Sequence, residues 1–250
     1  MKETCMMFGI EPGGKRKYYL RQARYYELGD EVSTFVASRF TPENKCQLLD
    51  VGAGTGVSHR YISHFIENDT SIIDYYAIEH PEHNVNELFQ PQDWKITHRD
   101  LNEGIPEDAF PEESFDVIVC EQVLEHLRYP QTILKDMYRL LKPDGIMIIG
   151  VPNFTTVPCW IRRHIVPKTD KLFKVKKVRG HIQAWTKRAF LRDVRNSCPG
   201  IKIEKVRGFR IISGGLLAFL ENYRWYWQMN RFIGRMLPSF CTEIQIVCHK

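Results

Sequence analysis

The stretch Leu48-Leu49-Asp50-Val51-Gly52-Ala53-Gly54-Thr55-Gly56 decides the fold. An apolar strand runs into an acidic residue and a G-x-G-x-G turn, and helix-forming sequence follows from Val57. Glycines at Gly52 and Gly54 let a backbone approach a ligand with no Cβ in the way. A helix starting near Gly56 points its free N–H groups and the positive end of its dipole into the turn. A dinucleotide fingerprint reads G-x-G-x-x-G and cradles a pyrophosphate. This chain places glycine at the fifth position instead, with Asp50 beside the turn. That carboxylate repels a pyrophosphate and suits a cationic ligand.

Working outward, strand-like and helix-like segments alternate. Apolar runs predict strands at Cys46–Val51, Ile72–Glu79, Trp94–His98, Phe115–Glu121 and Ile146–Val151, then at Ile201–Arg207 and Thr242–His249. Helical periodicity predicts Lys15–Phe40, with Asp30 as a local cap, and also Val57–Ile66, Pro130–Leu141 and Thr186–Asn196. Lys142-Pro143-Asp144-Gly145 reads as the stop signal between a helix and the fifth strand. The alternation predicts an α/β fold with a doubly wound, seven-stranded, mostly parallel sheet. It is read as one domain over 1–250, with an N-terminal helix at 15–40, a basic loop at 154–180 and a helical insert at 211–240.

The 250 residues are 43% hydrophobic and 26% charged, an ordinary composition for a globular protein. Seven cysteines without a C-x-x-C pair suggest neither a zinc knuckle nor a disulfide framework, and free thiols suit a reducing cytosol. Met1–Gly14 lacks the apolar run and flanks of a signal peptide, and the apolar run Ile211–Leu220 is too short to span a bilayer. The net charge of +5 hides an asymmetry. Residues 1–150 carry 15 Lys/Arg against 25 Asp/Glu, a net of −10, and residues 151–250 carry 20 against 5, a net of +15. A basic half of that size predicts an anionic partner: nucleic acid, a lipid surface, or an acidic substrate.

From Gln47 onward the chain resembles the class I S-adenosylmethionine (SAM) methyltransferases, motif by motif. Leu-Leu-Asp-Val-Gly-x-Gly-x-Gly is similar to the family's first motif, which implies a cofactor site formed by Asp50, Gly52, Gly54 and Gly56. Glu79, closing Tyr-Tyr-Ala-Ile-Glu, matches the acid that binds both ribose hydroxyls. His98-Arg99-Asp100-Leu101 resembles the adenine segment, with Asp100 meeting the amino group and Leu101 making a backbone or apolar contact. The fourth signature is Phe115–Glu121, with Glu121 counted at the cofactor site, followed by Gln122-Val123-Leu124-Glu125-His126. The Asn/Asp-Pro-Pro-aromatic tetrapeptide of enzymes acting on flipped bases is missing, which argues against DNA.

Some relatives place Glu-x-x-Glu-His here, with a further His downstream, as divalent-metal ligands. Gln122 stands at the first Glu position, so no metal is expected at Glu125, His126 and His181. His126 and His181 are the candidate catalytic residues, as a general base for an acceptor hydroxyl. The alternative readings are that His126 packs under the loop and that His181 only hydrogen-bonds one. Within the insert, Glu221, Arg224, Gln228, Arg231 and Arg235 form a polar stripe opposite Phe219, Leu220, Tyr223, Tyr226, Trp227, Ile233 and Met236. Such a helix suits a membrane interface, a lid over an apolar acceptor, or the core.

The resemblance implies a SAM-dependent methyltransferase acting in line on an oxygen of a small-molecule, sugar or lipid-linked glycan acceptor. The insert and basic loop are loosely similar to those of bacterial methyltransferases found with glycan enzymes. An RNA methyltransferase using the basic half is the alternative, and a non-catalytic binding relative the second. A cytoplasmic location, with peripheral contact to an anionic membrane on its inner face, completes the expectation.

Overall fold

The computed structural model describes residues 19–66, 70–81, 94–154, 182–211, 219–221 and 223–250. Seven strands pair into one sheet: β1 (Cys46–Val51), β2 (Ile73–Glu79), β3 (Lys95–His98), β4 (Phe115–Glu121), β5 (Leu141–Pro152), β6 (Lys202–Phe209) and β7 (Glu243–His249). Their order is β3-β2-β1-β4-β5-β7-β6. The first five run parallel, and β7 is antiparallel to both β5 and β6. The described helices are α1 (Tyr19–Ala37), α2 (Val57–Phe65), α3 (Pro130–Leu140), α4 (Lys187–Ser197) and α5 (Arg224–Met236).

The sheet is central because its inner strands, such as β1, β4 and β7, are buried on both faces, while the edge strands β3 and β6 are partly exposed. Successive residues of β1 and β4 point to opposite sides. Leu49, Val51 and Ile118 pack with Ile133 and Met137 of α3 and Phe190 and Val194 of α4. Leu48, Val117 and Val119 pack with Leu28 and Val32 of α1 and Ile62 of α2. Helices therefore cover both faces. The Thr186 hydroxyl accepts the Ala189 N–H and caps α4.

Three expectations need correction. Asp30 caps nothing: α1 runs through it, and its carbonyl accepts the Ser33 and Thr34 hydroxyls. Lys142–Gly145 does not separate helix from strand, because β5 already begins at Leu141 and absorbs Asp144, at φ 62°, as a pairing irregularity with β4. The third concerns α5. The side expected to carry a polar stripe turns Arg231 and Arg235 toward α1, and two of the aromatics expected opposite it, Tyr226 and Trp227, are buried as well.

Arg231 and Arg235 both bind the buried carboxylate of Glu27 on α1, and Arg207 of β6 joins them. Tyr226 and Trp227 are buried against Leu20, Ala23 and Phe209. Gly234 lies against the Gly208 carbonyl so closely that any Cβ would collide with it. Residues 15–18, 155–181, 212–218 and 222, which include most of the expected basic loop, lie outside the described residues.

Candidate functional site

The strand order reverses between β1 and β4, and a crevice opens there beyond the carboxyl ends of the strands, as in other open α/β sheets. It is a cleft of about 490 Å³. Its floor is the glycine turn after β1. Gly52, Gly54 and Gly56 have φ of 75°, 56° and 73°, the left-handed region that L side chains rarely adopt. The Gly52 N–H donates to the Ile78 carbonyl at 2.7 Å, which ties the turn to β2. A Cβ on Gly52 would strike Val123, whereas one on Gly54 would meet no described atom within 4 Å. Gly54 therefore bares its backbone to open space.

Glu79, at the end of β2, lines the cleft. It is buried, and its Oε2 accepts the Gly54 N–H at 2.5 Å while Oε1 accepts the His80 N–H at 2.9 Å. Asp100 and Leu101 line the cleft beyond β3. The Asp100 carboxylate accepts the backbone and side-chain N–H groups of Asn102 at 2.8 and 2.9 Å, and these bonds hold its pKa below the usual value.

Glu121 forms the inner wall at the end of β4. Burial pushes its pKa up to about 7, against the opposing pull of Arg24 and of the Gln245 amide that donates to it at 2.6 Å. Arg24 lies 3.3 Å away and also binds Glu243 at 2.7 Å, which pins α1 to β4 and β7. The buried Gln122 side-chain nitrogen on the same wall has no hydrogen-bond partner among the described residues.

Asp50 is placed differently from its expected position beside the ligand. It lies under the turn and does not line the cleft. Tyr75 donates to it at 2.8 Å and Ser58 hydrogen-bonds to it, yet burial pushes its carboxyl up to about 7. Gly56 is likewise absent from the cleft wall; it is the left-handed N-cap of α2. The structure thus brings Gly52, Gly54, Glu79, Asp100, Leu101, Glu121 and His126 together around one cleft. His181 lies outside the described residues.

Behind His126 sits Glu125, buried, with Oε1 3.9 Å from the His126 Nε2. Neither carboxylate oxygen has a hydrogen-bond partner among the described residues, and burial pushes the pKa up to about 8. Among the described residues no group of three or more His, Cys, Asp or Glu is disposed to hold a metal. Sequence reasoning missed Tyr25, which reaches the cleft from α1 with its ring beside that of Tyr61, and also Asn102 and Gln122. No local motif marks Tyr25; only the packing of α1 brings it there. Open glycine backbone beside buried carboxylates suits a ligand that carries hydroxyls and positive charge.

The sequence model of a family described as a methyltransferase domain matches residues 19–197. A demethylmenaquinone methyltransferase of Tropheryma whipplei is 28% identical over 171 residues, which cover 63% of this chain and 69% of that protein. A ubiquinone biosynthesis O-methyltransferase of Coxiella burnetii is 27% identical over 125 residues, 48% of each chain. The crystal structure of an S-adenosylmethionine-dependent methyltransferase from Mesorhizobium loti superposes with a TM-score of 0.52 at 15% identity, covering 87% of this chain and 96% of that one.

Proposed function

From the premise that this chain belongs to the methyltransferase-domain family, and is a SAM-dependent methyltransferase of the class I fold, we propose that it methylates an oxygen of a small-molecule, sugar or lipid-linked glycan acceptor. SAM, when bound, supplies a methyl group already activated by its sulfonium. The chain's own task is to bind, to orient and to exclude water. Gly52 and Gly54 admit the ligand to the backbone, and Gly56 starts the helix whose N-terminus faces it. Glu79 would accept the ribose hydroxyls on its remaining lone pairs while keeping the Gly54 N–H. Asp100 and Leu101 hold the adenine end, and Glu121 bounds the methionine end. Asp50 acts from below by fixing the turn through Tyr75 and Ser58.

His126, at the cleft edge, takes the proton of the acceptor hydroxyl, with His181 as the second candidate for that role. The whole of 1–250 is read as one methyltransferase domain. Oxygen as the methylated atom draws support from the likeness to the ubiquinone-pathway O-methyltransferase. The observation that carries the reading is the open backbone of Gly54 beside the buried carboxylate of Glu79. A screen of hydroxylated acceptors with methyl-labelled SAM tests it. Label transferred to a hydroxyl supports the reading, and transfer only to nitrogen or carbon contradicts it.

The net charge of +15 over residues 151–250 keeps one alternative, an RNA acceptor, whose methylation would fall steeply with added salt. The same charge supports peripheral contact with an anionic membrane at its cytoplasmic face. No helix among the described residues is long and apolar enough to cross a membrane.

A further inference from the structure

Among the described residues nine large hydrophobics are exposed, and seven of them lie between Phe219 and Phe240. Such a concentration is a surface, whereas scattered exposed apolar residues would need no explanation. Trp225, Phe232 and Met236 follow one another at spacings of seven and four, which puts them on a single line down α5. They are 55%, 68% and 68% exposed, and Leu237 and Phe240, past the helix end, are exposed too. Five other residues of the helix are committed elsewhere. Tyr226 and Trp227 are buried in the core, Gly234 abuts Gly208, and Arg231 and Arg235 are bound to Glu27. The helix is held from behind, with an aromatic edge turned outward.

We propose that this edge, made by Trp225, Phe232, Met236 and Phe240, seats shallowly in the headgroup–acyl boundary of an anionic lipid bilayer. The inference rests on the peripheral membrane contact proposed above and assigns the surface that makes it. Charge selects the occupant. Residues 151–250 carry a net of +15, and Glu221, the single acidic residue between 219 and 240, is buried. A second copy seated edge to edge would set this segment, with its three arginines and one buried acid, against its own like charge, which opposes that contact. An anionic leaflet attracts the basic half and accepts the aromatics. The arginines take a different part from the one their spacing suggested: two of them lock α5 to α1. That same α1 supplies Tyr25 to the cleft and Glu27 to α5, so a docked α5 holds the cleft at a fixed distance from the lipid.

The test is co-sedimentation of the full chain with phosphatidylcholine vesicles, with and without phosphatidylserine. The wild type is expected to partition onto the phosphatidylserine vesicles. Replacing Trp225→Ser and Phe232→Ser together should reduce that partition by about tenfold or more while SAM binding stays unchanged. Equal partition of wild type and double variant would overturn the surface and leave the membrane reading standing. A wild type that ignores both vesicle types, and self-associates through an interface the double variant dissolves, would overturn both in favour of a second copy. Should the double variant lose SAM binding, brominated lipids serve instead. They should quench wild-type tryptophan fluorescence, and Trp225→Phe should remove most of that quenching. Undiminished quenching in Trp225→Phe would overturn the proposal.

Discussion

The Glu79 Oε2 accepts the backbone N–H of Gly54 at 2.5 Å, so the carboxylate that ends β2 is fixed against the turn that follows β1. Two segments 25 residues apart thereby become one rigid corner of the cleft. Neighbouring glycines of that corner have different duties. Gly52 is closed in by Val123, and Gly54 opens to the ligand.

This difference separates two substitutions. Gly54→Ala places a methyl group in open space at φ 56° and should cost about 1 kcal/mol of stability, with a larger loss of SAM affinity. Gly52→Ala adds a collision with Val123 and should cost roughly 2–3 kcal/mol. Thermal melts with and without SAM distinguish them. Equal melting temperatures for the two apo variants would contradict the assignment.

The buried acid Glu125 predicts a pH effect. It faces Arg24, Glu121 and Glu243, with His126 at 3.9 Å, and burial raises its pKa from 4.5 to about 8. As pH rises, the unfolded chain releases this proton first, so unfolding gains and stability falls until the folded pKa is passed. Asp50 and Glu121, both raised to about 7, act in the same sense. Glu27, Glu31 and Glu243, held low against burial chiefly by their arginine and lysine partners, act oppositely and lose their contribution as pH falls. Glu125→Gln should therefore gain on wild type between about pH 5 and about pH 8.5, by roughly 1.4 kcal/mol per pH unit and on the order of 4 kcal/mol in all. Urea titrations across that range check it. Parallel curves would mean that Glu125 titrates normally.

Glu27 is buried among Arg207, Arg231 and Arg235, and its removal leaves the largely buried Arg231 without a carboxylate, while Arg207 keeps Glu31 and Arg235 reaches water. Glu27→Ala should cost about 3–5 kcal/mol, and a double-mutant cycle with Arg231→Met should show coupling above about 1 kcal/mol. Chemical denaturation gives both values. For the same reason, reversing the charges of Arg231 and Arg235 should unseat α5 from α1, and it is no clean probe of membrane binding.

Gln122, where some relatives hold a metal-binding acid, and the inaccessible oxygens of Glu125 together predict metal-independent turnover. Methyl transfer should persist at full rate in excess chelator. Loss of activity in chelator, restored by a divalent cation, would make Glu125 and His126 ligands.

The sheet was legible because its inner strands are apolar on both faces, as in Val117-Ile118-Val119, and because three glycines punctuate the end of β1. Glu79 and Glu121 were legible for a related reason: strand ends place residues at the crevice. The orientation of α5 was not legible. Its spacing defined two faces, but which one turned inward depended on Glu27, 204 residues from Arg231. Nor could the burial of Asp50 be read from its motif, since its hydrogen bonds come from Tyr75 and Ser58 on other elements. Tyr25 enters the cleft through the packing of α1, and no period in the sequence encodes that contact.

Calorimetric titration of SAM into the wild type and Glu79→Ala tests the central claim most directly. The wild type should bind one SAM per chain, and Glu79→Ala should weaken binding by about 1–3 kcal/mol, the scale of lost charge-assisted hydrogen bonds. Undiminished affinity in Glu79→Ala, with its fold intact, would contradict the account and leave Glu79 as the end of a strand that only braces Gly54.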